Sequence, residues 1–404
     1  MIFKVLILLF VSAVFCQNLS EGDRCYKDDA EGVCLQLGQC RTALVEISQN
    51  KRPQICSFVK PNNNVPIVCC VDRTPNRPPP VVTSQPTNNE DKCEPVPAHI
   101  TPQKTGKKAY DKCIDYQQKY VYPCERGTAL TGAYSRQNNC HHKTDSLIIG
   151  GTDADKNEFP HMALLGYGDL NTIEWYCGGS IVSERFILTA GHCTYRNRND
   201  PVTHVAIGAL RRRDAKDPSK IYKVKNIHKH PQYQSPSSYN DIALLETERV
   251  MELNQFTVPA CLHTGDFVDD NQVLATGWGS TQGDRSHFSE ILQRVVISKF
   301  STKECSRIYK PSRYMERGYN ELTQSCYGDR DDRQLYQSRF NLEHKDTCEG
   351  DSGGPIQIKD QKIHCMYTIV GLVSVGKPKC GQKPAIYTRV AHYLPWIEDT
   401  VWPN

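Results

Sequence analysis

Three short strings in this 404-residue chain carry side chains that can do covalent chemistry. "TAGHC" sets His192 just after an apolar run, "NDIALL" sets Asp241 just before one, and "GDSGGP" sets Ser352 among glycines. A serine hydroxyl becomes an acyl-transfer nucleophile when an imidazole takes its proton and a buried carboxylate orients that imidazole. Glycines around Ser352 let backbone N–H groups approach a developing oxyanion without side-chain hindrance. Singly, each string has a plain structural reading: a histidine after a strand, an aspartate at a turn, a tight glycine loop. In the order His, Asp, Ser at these separations, they point jointly to serine-based acyl transfer.

The elements that must position these groups begin at Ile148. Short strand-like apolar runs recur from there ("HMALLGY", "CGGSIVS", "RFILTAGHC", "IVGLVSVG", "AIYTRVA"), separated by glycine, proline or polar clusters. Many short strands at such spacing predict an all-β barrel or sandwich. The last segment, "YLPWIEDTVW", differs: Leu394, Ile397 and Val401 fall at helical spacing and predict a short terminal helix.

Upstream of Ile148 the texture is different. "MIFKVLILLFVSAVFCQ" has a lysine, an apolar run and small residues, which marks 1–16 as a secretory signal peptide with Gln17 at the mature end. No other stretch is long and apolar enough to span a bilayer. Of 19 cysteines, 18 then remain, an even number in an oxidising compartment, enough for nine disulfides. Metal binding, the rival reading, is disfavoured by the secretion signal and by the lack of paired Cys-x-x-Cys motifs. Six cysteines (Cys25, Cys34, Cys40, Cys56, Cys69, Cys70) crowd a segment too short for a good core, so disulfides must staple it; spacing alone leaves fifteen connectivities open. This bounds a small domain at 23–72. Residues 73–147 follow, and their proline-rich and charged stretches through residue 108 predict an extended linker that Cys93 ties down in part. Net charge is +4 with both signs interspersed, which leaves no nucleic-acid footprint. Arg211–Arg212–Arg213, followed by Asp214, is expected as a solvated loop, with a substrate or polyanion patch as the alternative. Asn18 heads one glycosylation sequon at the mature N-terminus.

On these motifs residues 148–404 resemble the trypsin- and chymotrypsin-like serine proteases. The resemblance implies two six-stranded β-barrels with the site in the cleft between them. It makes His192 the general base and acid, Asp241 its orienter and Ser352 the nucleophile, with the N–H groups of Gly350 and Ser352 as oxyanion hole. It makes "IIGG" the N-terminus created by cleavage after Leu147: the freed ammonium of Ile148 would turn inward to the carboxylate of Asp351. A buried carboxylate without a partner charge is costly, which gives the switch its physical basis. Asp346, six residues before Ser352, falls at the floor of the primary pocket and implies preference for Arg or Lys. Ser374 and Gly376 would line its wall and pair with the substrate backbone. Ala385 stands where the family often has glycine, and its methyl would narrow the pocket. Relatives that bind calcium carry an acid where this chain has Ala209, and no set of oxygen ligands is apparent.

The six-cysteine segment, ending in "CC", resembles the clip domain of arthropod proteases, which implies Cys25–Cys69, Cys34–Cys56 and Cys40–Cys70. The protease half implies Cys177–Cys193, Cys305–Cys326 and Cys348–Cys380, and Cys113–Cys261 to hold the cut light chain. Cys93, Cys124, Cys140 and Cys365 leave three pairings open. "CMYTIVGLVSVG" and a cysteine shortly before the cut resemble the Snake and Persephone group, which favours Cys140–Cys365 with Cys93–Cys124.

Leu147 carries its own message. An acidic pocket that desolvates its acid without a cation rejects Leu, so an enzyme with Asp346 should not activate itself, and an activator with an apolar pocket is expected. "CHHKTDS" before the cut is expected as exposed linker, with bait for foreign proteases as the alternative. The resemblance implies a secreted zymogen in an extracellular cascade (Toll activation, melanisation or dorsal–ventral patterning). Its substrate would be another clip-protease zymogen and its inhibitor a serpin, with no cofactor. A terminal protease cutting prophenoloxidase or a Spätzle-like precursor is the alternative within the enzyme class, which Leu147 disfavours. A non-catalytic clip-domain homologue that only binds partners is the alternative outside it; such homologues usually carry glycine for the serine, and here Ser352 is present.

Overall fold

The computed structural model describes residues 22–28, 30–37, 40–49, 51–58, 66–71, 93–126, 134–142, 151–197, 199–266, 270–280, 288–330, 347–348, 350–376 and 383–403. The signal segment, Asn18, most of the proline-rich stretch, Leu147, Ile148, Asp346 and Cys380 lie outside these residues. The chain divides into two units, Met1–Asn88 and Asn89–Asn404.

The first unit is a four-stranded sheet with one helix. Strands β1 (Arg24–Lys27), β2 (Ala30–Gln36), β3 (Ile55–Phe58) and β4 (Pro66–Cys70) lie in the order β1-β2-β4-β3, and α1 spans Arg41–Ser48. Its interior is mostly sulfur. Cys25–Cys69, Cys34–Cys56 and Cys40–Cys70 all form, and among the described residues only Ala43, Ile67 and Val68 are other buried apolar side chains. So small an apolar interior cannot offset chain entropy alone, and the cross-links restrain the unfolded chain instead.

The second unit opens with a segment that is more than linker. From Cys93 onward the chain builds α2 (Lys108–Tyr116), which runs on as a π-turn through Val121, and a hairpin of β5 (Cys124–Arg126) and β6 (Tyr134–Arg136). The expected extended linker therefore ends well before residue 108: Thr101 is already buried, and its hydroxyl donates to Gln117. The reason is an apolar face. Ile114, Tyr116, Tyr120 and Val121 bury against Val258, Ile363 and Met366, and Cys113–Cys261 pins the contact. Ala109 N–H donates to Glu398 at 2.7 Å and Tyr116 donates to Glu184 at 3.0 Å. Cys93–Cys124 and Cys140–Cys365 are the pairing formed among the three open ones.

After β7 (Thr152–Asp153), two barrels follow. The first comprises β8 (Met162–Tyr167), β9 (Glu174–Ile181), β10 (Phe186–Thr189), β12 (Asp200–Ile207), β13 (Ile221–Lys229) and β14 (Ala243–Thr247), with the short β11 (Tyr195–Asn197) beside β12. Pairing of β12 with β8 closes it. Leu165, Ile181, Ile187, Val205 and Leu245 fill it. The second, preceded by β15 (Cys261–Leu262), comprises β16 (Gln272–Gly277), β17 (Gln293–Lys299), β18 (Gln324–Gly328), β19 (Pro355–Lys359), β20 (Tyr367–Val375) and β21 (Ala385–Arg389), closed by β20 against β21. Val273, Ile297, Tyr327, Ile356 and Tyr387 fill it. Helix α3 (Thr302–Ile308) starts in a capping box of Ser301 and Glu304, which satisfies two orphan backbone donors. The terminal helix α4 (Val390–Val401) buries Val390, Tyr393, Ile397 and Val401, with Leu394 half-buried. Cys177–Cys193 and Cys305–Cys326 form; Cys348 is bonded too, to a partner outside the described residues.

The segment at Cys140–His142 departs from expectation. His141 and His142 are not exposed linker: both are half-buried, and the His142 ring lies 4.2 Å from that of Tyr367. Cys140–Cys365 draws this stretch onto the second barrel, and burial drives the His142 pKa down to about 3.

Candidate active site

His192 sits on a single 3-10 turn, Gly191–Thr194, that ends β10. Asp241 lies in the loop between β13 and β14, and Ser352 lies in the turn that leads into β19. Each barrel thus contributes at its edge, where chain reversals free side chains from the ladder.

Asp241 is 2 % exposed, and its carboxylate is fully engaged. Oδ1 accepts the His192 backbone N–H at 2.8 Å. Oδ2 accepts from His192 Nδ1 at 2.8 Å and from Ser374 Oγ at 2.6 Å. The Asp241 carbonyl accepts from Thr388 Oγ1 at 2.8 Å. Several charge-assisted donors are what make a buried carboxylate tolerable. The imidazole keeps 35 % side-chain exposure. Burial alone would lower its pKa, but the Asp241 charge and hydrogen bond outweigh that and raise it above 6.5. With Nδ1 committed to Asp241, Nε2 is left for proton transfer. In the uncut chain Nε2 lies 3.7 Å from the Cys193 sulfur, and among the described residues Ser352 Oγ has no hydrogen bond. Such bonds tighten when the site is completed and substrate is present.

The Ser352 turn is pressed onto the residues before His192. Gly178 N–H donates to the Ser352 carbonyl at 2.9 Å. At Gly353, with φ +74, an added Cβ would lie 2.2 Å from Thr189 Oγ1 and 3.1 Å from Ala190 N, so only glycine permits this approach. Gly350 has φ +94 for a similar reason.

Asp351 is half-buried as a residue and turns its carboxyl in behind this turn. Its Oδ1 accepts from Gly279 N–H at 2.8 Å and its Oδ2 from Cys348 N–H at 2.9 Å. Burial raises its pKa to about 6, with the two backbone donors offsetting part of the rise. Among the described residues no cation pairs with this carboxylate.

The pocket residues divide. Ser374 is 8 % exposed and spends its hydroxyl on Asp241, a role its place in "VSVG" does not announce. Gly376 is exposed at the end of β20. Ala385 is fully buried in β21, within the second barrel's core. Asp346 and Ile148 lie outside the described residues. Thr388 was the other residue missed; a threonine in a strand gives no signal that its hydroxyl reaches a carbonyl 147 residues away in sequence.

A cleft between two closed β-barrels, holding an aspartate–histidine pair beside a serine turn, defines a class. Residues 148–397 match the trypsin family model, and the chain belongs to that family of serine endopeptidases. It is 31 % identical over 395 residues to serine protease snk of Drosophila melanogaster, covering 95 % of this chain and 79 % of that one. It is 33 % identical over 288 residues to melanization protease 1 of Drosophila melanogaster, covering 65 % and 68 %. It is 30 % identical over 272 residues to CLIP domain-containing serine protease C9 of Anopheles gambiae, covering 65 % and 70 %. With the triply cross-linked N-terminal unit, the chain is an arthropod clip-domain serine protease. No helix among the described residues is long and apolar enough to cross a membrane.

Proposed function

We propose that this chain is a secreted zymogen, switched on by cleavage after Leu147, that then cuts after Arg or Lys in an extracellular protease cascade. The observation that carries the reading is the hold on His192: two hydrogen bonds from its backbone and ring to one Asp241 carboxylate, itself buried and bonded by Ser374. That arrangement fixes the tautomer needed to take a proton from Ser352 Oγ and then stabilises the imidazolium. Ser352 attacks the scissile carbonyl, Gly350 and Ser352 N–H groups receive the oxyanion, and His192 returns the proton to the leaving amine. The desolvated carboxyl of Asp351, its pKa raised to about 6, is the group that a new Ile148 ammonium would satisfy.

Asp346 supplies the acid for an Arg or Lys side chain, and Leu147 calls for an activator with an apolar pocket. Two bridges, Cys113–Cys261 and Cys140–Cys365, join residues on opposite sides of the cut and keep the light chain attached. A relative bearing the name melanization protease supports an immune role. The substrate is the zymogen of another clip protease; Leu147 disfavours a terminal protease acting on prophenoloxidase or a Spätzle-like precursor. A serpin is the expected inhibitor.

The test is a Leu147→Arg chain cut with trypsin and assayed on amides ending in Arg, Lys, Phe and Leu, with Ser352→Ala as control. Turnover of Arg or Lys amides, absent in the control, is the expected result. Turnover of Phe or Leu amides alone would overturn the assignment of Asp346.

A further inference from the structure

The triple-arginine run is not solvated throughout. The Arg213 side chain is 67 % exposed, but Arg211 and Arg212 are half-buried. Arg212 donates its backbone N–H to the Glu290 carbonyl at 2.8 Å and its Nη2 to the Trp175 carbonyl at 2.5 Å. Nη1 is buried without a hydrogen-bond partner. Burying a guanidinium this way is costly, so the gain must lie in what it covers. Its Cζ lies 5.1 Å from the centroid of the Phe288 ring.

Phe288 has two further neighbours. The Tyr176 ring meets it edge-on, with centroids 5.7 Å apart at 87°. On another side is the backbone of Gly350: a Cβ built there would lie 2.7 Å from Phe288 Cε1, 2.8 Å from Cδ1 and 3.0 Å from the Gly279 Cα. The ring therefore rests on Gly350 itself. Its own main chain is pinned by a bridge between Ser280 and Phe288 and by Ser289 N–H to the Gly279 carbonyl at 3.1 Å. The Trp175 carbonyl, Arg212, Phe288 and Gly350 thus form a continuous chain of contacts from β9 of the first barrel to the turn before Ser352.

We propose that Phe288, clamped by Arg212 and Tyr176, is a positioning residue that holds the Gly350 N–H in oxyanion geometry. The proposal rests on the serine-protease reading above. Glycine is needed at φ +94, but it leaves the Gly350 peptide plane free to swing. Oxyanion donors work only when preorganised. A ring seated on the Cα supplies the restraint that glycine cannot, and the cation over its face holds the ring in place. The unspent Nη1 of Arg212 follows: the guanidinium is oriented by the ring, not by a full set of acceptors.

The experiment uses the cleaved enzyme and the variants Phe288→Ala, Phe288→Leu, Phe288→Tyr and Arg212→Met. For each, kcat and KM are measured on an Arg amide. Affinity is measured for a peptide aldehyde ending in Arg, whose hemiacetal oxygen occupies the oxyanion position, and for benzamidine, which fills only the primary pocket. Phe288→Ala is expected to lower kcat and aldehyde affinity together by about 10-fold or more, since one misplaced donor costs up to a hundredfold or beyond. KM and benzamidine affinity stay within about twofold. Arg212→Met gives the same pattern at about threefold, and Phe288→Tyr restores the parent values. Should Phe288→Ala not fold, Phe288→Leu carries the comparison. Aldehyde affinity unchanged in a folded Phe288 variant would overturn the proposal, and so would benzamidine affinity falling in step with it. Loss of all turnover in the cleaved parent would instead overturn the protease reading.

Discussion

The carboxylate of Asp351 makes a prediction that can be worked through in energy. In the uncut chain its pKa is about 6 against an ordinary 3.8. A carboxyl group whose folded pKa is raised binds more protons folded than unfolded between those two values. Stability therefore falls as pH rises through that window and stays lower above it. A difference of about 2.2 units, at about 1.4 kcal/mol each, gives a loss of about 3 kcal/mol. The perturbation is Asp351→Asn in an uncut chain that also carries Ser352→Ala to prevent autolysis. Asparagine forfeits one of the two backbone hydrogen bonds, a cost of about 1–3 kcal/mol that does not vary with pH. Urea unfolding with disulfides intact, at intervals from pH 3.5 to 7.5, gives the stability difference between the two chains. The parent should lose about 3 kcal/mol relative to the variant across the window. After cleavage at Leu147 the sign should reverse, because an ammonium beside the carboxylate depresses its pKa. Parallel curves for the uncut chains would refute the reasoning: burial would then place no strain on Asp351, and the switch would need another origin.

Further outcomes follow from the same geometry. Asp241→Asn should lower kcat/KM at neutral pH by about 10⁴, because the amide stabilises the wrong imidazole tautomer. The acid limb of the pH–rate profile, set by a His192 pKa held above 6.5, should move downward with it. Ser374→Ala removes the 2.6 Å bond to the Asp241 carboxylate and should cost about 2 kcal/mol of stability at neutral pH, measured by denaturant unfolding. His161, 1 % exposed and bonded to Gln357, has its pKa lowered to about 4 by burial. Its contribution is present above pH 6.5 and is lost as pH falls through 4, about 3 kcal/mol in all. His161→Asn should therefore flatten the acid side of the stability profile over that range.

Much of this architecture was written in local pattern. The strand runs of β8, β9, β10, β20 and β21 were visible because each is a short apolar stretch between glycines and polar clusters. The terminal helix was visible because Leu394, Ile397 and Val401 keep its period. What stayed hidden depends on contacts distant in sequence. Helix α2 has an apolar face only in relation to Val258, Ile363 and Met366, and its proline-rich approach reads as linker until that surface is known. His141 and His142 look solvated until Cys140–Cys365 pulls them onto Phe256 and Tyr367. Ser374 and Asp241 are 133 residues apart, and nothing in either string states that one hydroxyl completes the other's coordination. Arg212 shows the same limit: in a run of three arginines the sequence cannot say which one is turned inward over an aromatic ring.

The central claim is that one cut after Leu147 converts an inert chain into an enzyme of a different specificity from its activator. The most direct measurement treats the unaltered chain with a protease of apolar specificity and follows two signals together: the appearance of Ile148 as a new N-terminus and turnover of an Arg amide. The account predicts that the two rise in proportion and that Ser352→Ala shows the first without the second. A new Ile148 terminus in full yield, with Arg and Lys amides untouched, would contradict it.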